Sequence, residues 1–349
     1  MSQTATPEKS QEKELHELSN SRIHVENKCG LAFKYQYVDK LPAPYETGAL
    51  IFGHAIHDGI AEWYGVGVRT PTNAKQHQIL DLPELVDAQW ERLLPPKVYE
   101  AVMGMIELGQ EARAVAEAIK LGRPELRAPT QTKAYLNSEA VKKLNKAREE
   151  MLELCDASSE VKWPKTEDPY QAYLKAHAIA ERLQEEWRPQ PRPLLVEQQF
   201  VLEFEGFTLH GRLDQLRQDM DPNTGEALEP AIHDTKTGAN LFSQMGVFVQ
   251  AFIYREAVAA MDDAPTTNKV VFDMVRHTTK ANRTKSQIVT IDPERHRKRA
   301  LSILNGTARR IITADFEPRF GFWCDRCDFS DLCEAELGLW TGDGTGDEI

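Results

Sequence analysis

The chain has 349 residues, 41% hydrophobic and 28% charged, with a formal net charge of −12. That length holds one large domain with insertions or two ordinary ones, and that balance belongs to a soluble globular protein. No apolar run nears the about 20 residues that span a bilayer, and the acidic total excludes a surface coated in basic groups while leaving room for a local basic groove against phosphates.

The start, M-S-Q-T-A-T-P-E-K-S-Q-E-K-E, lacks the apolar stretch of a secretory signal, so a cytoplasmic location with reduced thiols is expected. Residues 1–17 are polar and mixed in charge, and are expected to be flexible. Ser19, Asn20 and Ser21 are helix-start residues. The stretch after them carries Cys29, then Phe33, Tyr35 and Tyr37. A Pro-rich loop at 41–45 leads into T-G-A-L-I-F-G-H-A-I-H-D-G-I-A-E-W-Y, where Leu50, Ile51, Ile56, Ile60 and Trp63 predict one apolar helix face. Gly53 and His57 lie four apart on one side of that helix, so a small residue permits close approach where the imidazole emerges. A histidine satisfied within the core is the plain alternative for His57, and His54 reads as incidental.

From 66 to 190 no catalytic cluster is legible. Helical stretches are predicted at 99–120, 138–156 and 170–187, broken near Pro124, Pro129 and Pro164. Their alternating charges describe solvated faces, and Cys155 reads as a packing residue.

Strand signals begin at Leu194. L-L-V-E-Q-Q-F-V-L-E-F ends at a turn on Gly206, and F-T-L-H-G-R-L-D-Q-L is its hairpin partner. A second turn, D-P-N-T-G-E with Pro222, Asn223 and Gly225, leads into I-H-D-T-K-T-G. Asp214 lies near the end of one strand, and Asp234 and Lys236 stand two apart on the other, sharing a face. Two carboxylates and an ammonium at one strand end form a set suited to holding a metal and activating water. Glu197 is a further acidic neighbour whose spacing demands no role.

The apolar helix N-L-F-S-Q-M-G-V-F-V-Q-A-F-I-Y-R-E-A-V places Gln250 and Tyr254 at i and i+4, on one face. The strands K-V-V-F-D-M-V-R and K-S-Q-I-V-T-I complete an α/β pattern. Asp292 and Pro293 start a basic helix with Arg295, Arg297, Lys298 and Arg299. With Arg276, Lys280, Arg283 and Lys285 upstream, it reads as a solvated face or as a grip on phosphates. Cys324, Cys327 and Cys333 form C-x2-C-x5-C, and Cys29 is available as a fourth thiolate, which suits zinc.

The ordered motifs G-H-A-I-H, G-R-L-D, D-T-K-T-G and Q-A-F-I-Y, in matching helix and strand contexts, resemble the PD-(D/E)xK nucleases of the RecB and AddB type, including the CRISPR-associated RecB-like exonucleases. The resemblance runs from about Ser19 to Cys333. It implies a restriction-endonuclease-like α/β core, a mixed central sheet flanked by helices, with a helical insertion. The domain layout expected from it is N-terminal helices with Cys29 and His57 (18–65), the insertion (66–190), the core (191–315), a cysteine segment (316–335) and an acidic tail (336–349).

The same resemblance implies Mg²⁺ or Mn²⁺ held by His57, Asp214, Asp234 and the Thr235 carbonyl, with Lys236 acting on the attacking water and Gln250 and Tyr254 placing the DNA strand. It makes Cys29, Cys324, Cys327 and Cys333 ligands of a structural [4Fe-4S] cluster, with zinc as the alternative. The implied activity is metal-dependent exonuclease cleavage of single-stranded or end-frayed DNA in repair, recombination or phage DNA processing, compatible with a protein partner in such a complex and without a membrane. The alternative is a catalytically inactive DNA-binding subunit.

Overall fold

The computed structural model describes residues 16–43, 46–65, 80–122, 132, 134–158, 161–163, 168–237, 244–275, 285–324 and 327–338. Arg276, Lys280 and Arg283, the breaks at Pro124, Pro129 and Pro164, and most of both chain ends lie outside them, as does the side chain of Lys285.

A mixed sheet carries the molecule. The long hairpin β4 (Leu195–Phe204) and β5 (Phe207–Arg217) turns at Gly206, whose φ of +90° is open to glycine at little cost. Beyond β5, Asp221 accepts hydrogen bonds from the backbone N–H groups of Asn223 and Thr224, and Gly225 takes a φ of +71°. That turn returns the chain as β6 (Ala231–Lys236), antiparallel to β5 through Gln215–His233, Leu216–Ile232 and Arg217–Ala231. β7 (Lys269–Met274) lies parallel to β6, and β8 (Lys285–Thr290) antiparallel to β7. A parallel neighbour needs a crossover, and a helix over Gln244–Ala259 supplies it. The strand β1 (Glu17–Ser19) pairs in parallel with Thr208–His210 of β5, and apart from this sheet β2 (Glu46–Thr47) and β3 (Val161–Lys162) form a short parallel pair. Glu17, expected within the flexible start, therefore belongs to the sheet, because β5 offers it an open edge and Thr208 donates its N–H to the His16 carbonyl at 2.8 Å.

In chain order the helices are α1 (Asn20–Lys28), α2 (Gly30–Phe33, continued as a π-helical turn at Lys34–Val38), α3 (Gly48–Trp63), α4 (Leu82–Leu93), α5 (Pro96–Gly122), α6 (Glu139–Ser158), α7 (Pro169–Trp187), α8 (Gln244–Ala259), α9 (Pro293–Ile312) and α10 (Ser330–Glu336). Ser19 caps α1, its Oγ accepting the Arg22 N–H, and Asp292 caps α9 by accepting from Glu294 and Arg295.

Two apolar cores result. One fills the space between the sheet and helices α1, α8 and α9, around Leu209, Leu216, Ile232, Phe252, Phe272 and Leu304. The other joins α3 to α4, α5, α6 and α7 around Trp63, Trp90, Met105 and Leu183. On α3 the predicted apolar face is buried at Ile51, Ile56, Ile60 and Trp63, whereas Leu50 is 47% exposed. α3 thus belongs to the helical lobe by its packing, yet its histidine side reaches the sheet. No described helix is long and apolar enough to cross a membrane.

Candidate metal centre

Three strands and two helices converge where β5 and β6 part. Asp234 is fully buried on β6. Its Oδ1 accepts from the Tyr254 hydroxyl at 2.8 Å and the Gln250 amide at 3.2 Å, both one helical turn apart on α8. The same amide donates to the Tyr254 oxygen at 2.8 Å. Asp234 Oδ2 lies 2.6 Å from Lys236 Nζ. On β5, Asp214 Oδ2 accepts the Thr235 N–H at 2.9 Å and lies 3.5 Å from His57 Nδ1. Gly53, one turn before His57, faces Thr237, and a Cβ there would stand 3.4 Å from the threonine oxygen.

All the expected residues around the hairpin are brought into this one network. The tightest cluster of donors differs from the expected one. Among the described residues, His57, Glu197 and Asp214 offer ligand atoms within 4.8 Å of one another. Asp234 lies just behind them, held by Tyr254, Gln250 and Lys236.

Glu197 is the residue the sequence pattern does not reveal. Phe200 and Leu202 point into the core, so alternation along β4 would put Glu197 outside with Gln199 and Val201. Instead its φ is +49°, a left-handed conformation that costs about 1–3 kcal/mol in a residue with a Cβ. The distortion stands opposite Asp214, between the register pairs Val196–Gln215 and Gln198–Leu213. It leaves the Glu197 side chain only 6% exposed, with Oε2 2.5 Å from Arg212 Nε.

The electrostatics explain what such a centre lacks. Burial, then the neighbouring Asp214 charge, pushes the Asp234 carboxyl up to about 6, against the attraction of Lys236. Burial and the Asp214 charge likewise push Glu197 up to about 7, outweighing Arg212. Asp214 is raised by burial as well, and His57 is lowered by burial, which favours the neutral imidazole that binds metals. Glu197 Oε2 and Asp234 Oδ2 are buried without a well-directed hydrogen bond, although each has a cation nearby. Carboxylate oxygens and one imidazole, crowded and short of positive charge, fit a hard divalent cation. Behind the centre, His233 and Asp273 pair at 2.7 Å and Ser286 donates to Asp273 at 2.6 Å, lacing β6, β7 and β8 together.

The sequence profile of the PD-(D/E)XK nuclease superfamily matches residues 17–139 and 132–334. The chain belongs to that superfamily. No curated protein matches it in sequence. Among solved structures it is similar to a candidate exonuclease from Eubacterium rectale, at 12% identity and a TM-score of 0.39, covering 100% of this chain and 96% of that one. It is also similar to SSO0001, at 12% identity and a TM-score of 0.29, covering 82% of this chain and 96% of that one. With both scores low, the superfamily membership rests on the sequence match, and the mixed sheet flanked by helices agrees with it.

The cysteines form a second constellation. Cys29, Cys324, Cys327 and Cys333 line one cavity of about 300 Å³, with Tyr35, Arg319 and Phe329. The Arg319 N–H donates to Cys29 Sγ at 3.5 Å and the Gly321 N–H to Cys324 Sγ at 3.4 Å. No three of the four sulfurs lie within 4.8 Å of one another. Burial, and then the neighbouring Cys29 thiol among other groups, raises the thiol pKa of Cys333.

On α9, Arg297 pairs with Glu256 at 2.5 Å and the Arg299 guanidinium lies 5.3 Å from the centre of the Phe248 ring. Two of the four basic residues are thus engaged within the protein, which favours the solvated-face reading of this helix.

Proposed function

We propose that the chain is a divalent-metal-dependent deoxyribonuclease, an exonuclease acting on single strands or frayed ends. The observation that carries this reading is the meeting of His57, Glu197 and Asp214 beside the Asp234–Lys236 pair. Oxygen ligands there suit Mg²⁺ or Mn²⁺, and the imidazole makes Mn²⁺ a good occupant. When bound, such a cation supplies Lewis-acid stabilisation of charge on a phosphate.

The rest falls to the protein's own groups. His57, Glu197, Asp214 and Asp234 would hold the cation, with the Thr235 carbonyl as a further oxygen. Tyr254 and Gln250 fix the Asp234 carboxylate by hydrogen bonds to one oxygen, leaving the other toward Lys236. The Lys236 ammonium orients the attacking water and offsets negative charge as phosphorus gains its fifth oxygen. Water adds to phosphorus, the phosphodiester P–O bond to the leaving nucleotide breaks, one proton leaves the water, and one reaches the departing oxygen. Both aspartates and the lysine are in place, which disfavours the inactive DNA-binding subunit.

A [4Fe-4S] cluster held by Cys29, Cys324, Cys327 and Cys333 would act as a staple, closing a loop of roughly 295 residues between the chain's two ends. A cytoplasmic setting, where thiols stay reduced, suits those ligands. Residues 66–190 are proposed as an insertion on the nuclease core, and a repair or recombination partner remains compatible with this role. Cleavage of end-labelled linear DNA with Mn²⁺ or Mg²⁺, abolished by chelator and by Lys236→Ala, is the expected result. Intact DNA under every metal condition would refute the nuclease reading. Iron and acid-labile sulfide in anaerobically purified protein test the cluster, and zinc in their place would refute it.

A further inference from the structure

Two cations flank the carboxylates, and they are differently placed. Lys236 is 18% exposed and held by Asp234. Arg212 is 57% exposed, and its charge acts on His57, Glu197 and Asp214 alike. The Arg212 Nε stands 2.5 Å from Glu197 Oε2, in a contact too poorly directed to count as a hydrogen bond. The guanidinium therefore occupies, from the solvent side, the charge deficit that a divalent cation would fill from within.

We propose that Arg212 is a phosphate-binding residue released by the metal. Without the cation it is the counter-ion of Glu197. When a cation takes up the Glu197 charge, the exposed guanidinium is freed to receive a DNA phosphate at the mouth of the centre, where its planar fork matches two phosphate oxygens. Metal binding and strand binding are thereby coupled, and each strengthens the other by the same factor. The inference rests on the nuclease reading and adds to it the residue that receives the strand.

The test uses the full-length protein and a fluorescent single-stranded oligonucleotide, titrated with Ca²⁺ or with chelator present. With Ca²⁺, Arg212→Gln should weaken binding about fivefold to tenfold and make the slope of log K against log salt shallower by about 0.7. In chelator the same variant should bind like the unaltered protein, because Arg212 is already engaged. Glu197→Gln should tighten binding in chelator severalfold, and the double variant Glu197→Gln/Arg212→Gln should abolish that gain. A gain that survives in the double variant means simple removal of negative charge and overturns the proposal. So does equal weakening by Arg212→Gln in Ca²⁺ and in chelator, or no weakening in either. If the unaltered protein cuts DNA and these patterns fail, only this inference falls. If it neither binds nor cuts DNA, the nuclease reading falls with it.

Discussion

The hairpin centre and the cysteine cavity both gather metal-ligand side chains, but they are built in opposite ways. The hairpin centre lies beside the main core, with Asp234 fully buried and tied to Tyr254, Gln250 and Lys236 by contacts of 3.2 Å or less. Its scaffold is held by the protein's own hydrogen bonds, and its cost is electrostatic: three carboxyl groups confined together. The cysteine cavity is bounded by a small apolar patch of Leu31, Tyr35 and Phe329, and its four thiols are only partly buried. It depends on polar ties between the chain's ends. Glu26 is fully buried and receives Arg310 at 2.7 Å and Arg319 at 2.6 Å, and Tyr35 donates to Glu336. An occupant of the first should therefore govern chemistry, and an occupant of the second should govern folding.

The largest expected effect tests the first half of that contrast. Lys236→Ala should lower the cleavage rate about 10²–10³-fold in single-turnover assays at saturating metal, and, because it strips buried Asp234 of its partner, it should also lower metal-free stability at neutral pH. Cys324→Ala should do the reverse in emphasis. Loss of the bound group should lower Tm by roughly 10 °C, because ligand binding there contributes directly to folding. Full thermal stability in that variant would show that the cavity is not a staple.

The third prediction concerns the electrostatic cost of confining these carboxyl groups. The Asp234 carboxyl sits near 6, above its ordinary value, so the folded state binds its proton more tightly than the unfolded chain does. Metal-free stability should accordingly fall as pH rises from about 4 to beyond 6. Asp234→Asn should lessen that fall, raising metal-free stability at pH 8 by about 1–3 kcal/mol and giving no gain at pH 4, as read by chemical denaturation, with Glu197 and Asp214 supplying the remainder. Added Mn²⁺ should stabilise only the unaltered protein. The corresponding activity should rise between pH 6 and 8, as Glu197, near 7, and Asp234 lose their protons.

The smallest effect is that of Tyr254→Phe. It removes one hydrogen bond to Asp234 and leaves the Gln250 amide, so a loss of about 1 kcal/mol is expected. The pH profile of cleavage should move to higher pH, since the lost bond favours the ionised carboxylate.

Local rules were enough for much of this protein. The turn residues Pro222, Asn223 and Gly225 predicted the hairpin, the two-residue step placed Asp234 and Lys236 together, and the four-residue step placed Gln250 with Tyr254. Each depends on chain geometry within a few residues, which sequence expresses directly. The helix α4 was not legible, and neither was β1, which owes its place to an edge of β5 about 190 residues away.

The sequence by itself thus determined the strands from β4 onward, the main helices, and the identity of most candidate ligands, because periodicity and turn chemistry are local. Only the tertiary structure decided that Glu197 joins them. Its strand pattern points outward, and the left-handed backbone that turns it inward lies against Asp214, a neighbour supplied by the next strand. It also decided that four thiols from opposite ends of the chain share one cavity. Spacing along a sequence carries no distance between segments until the packing of both cores has fixed them.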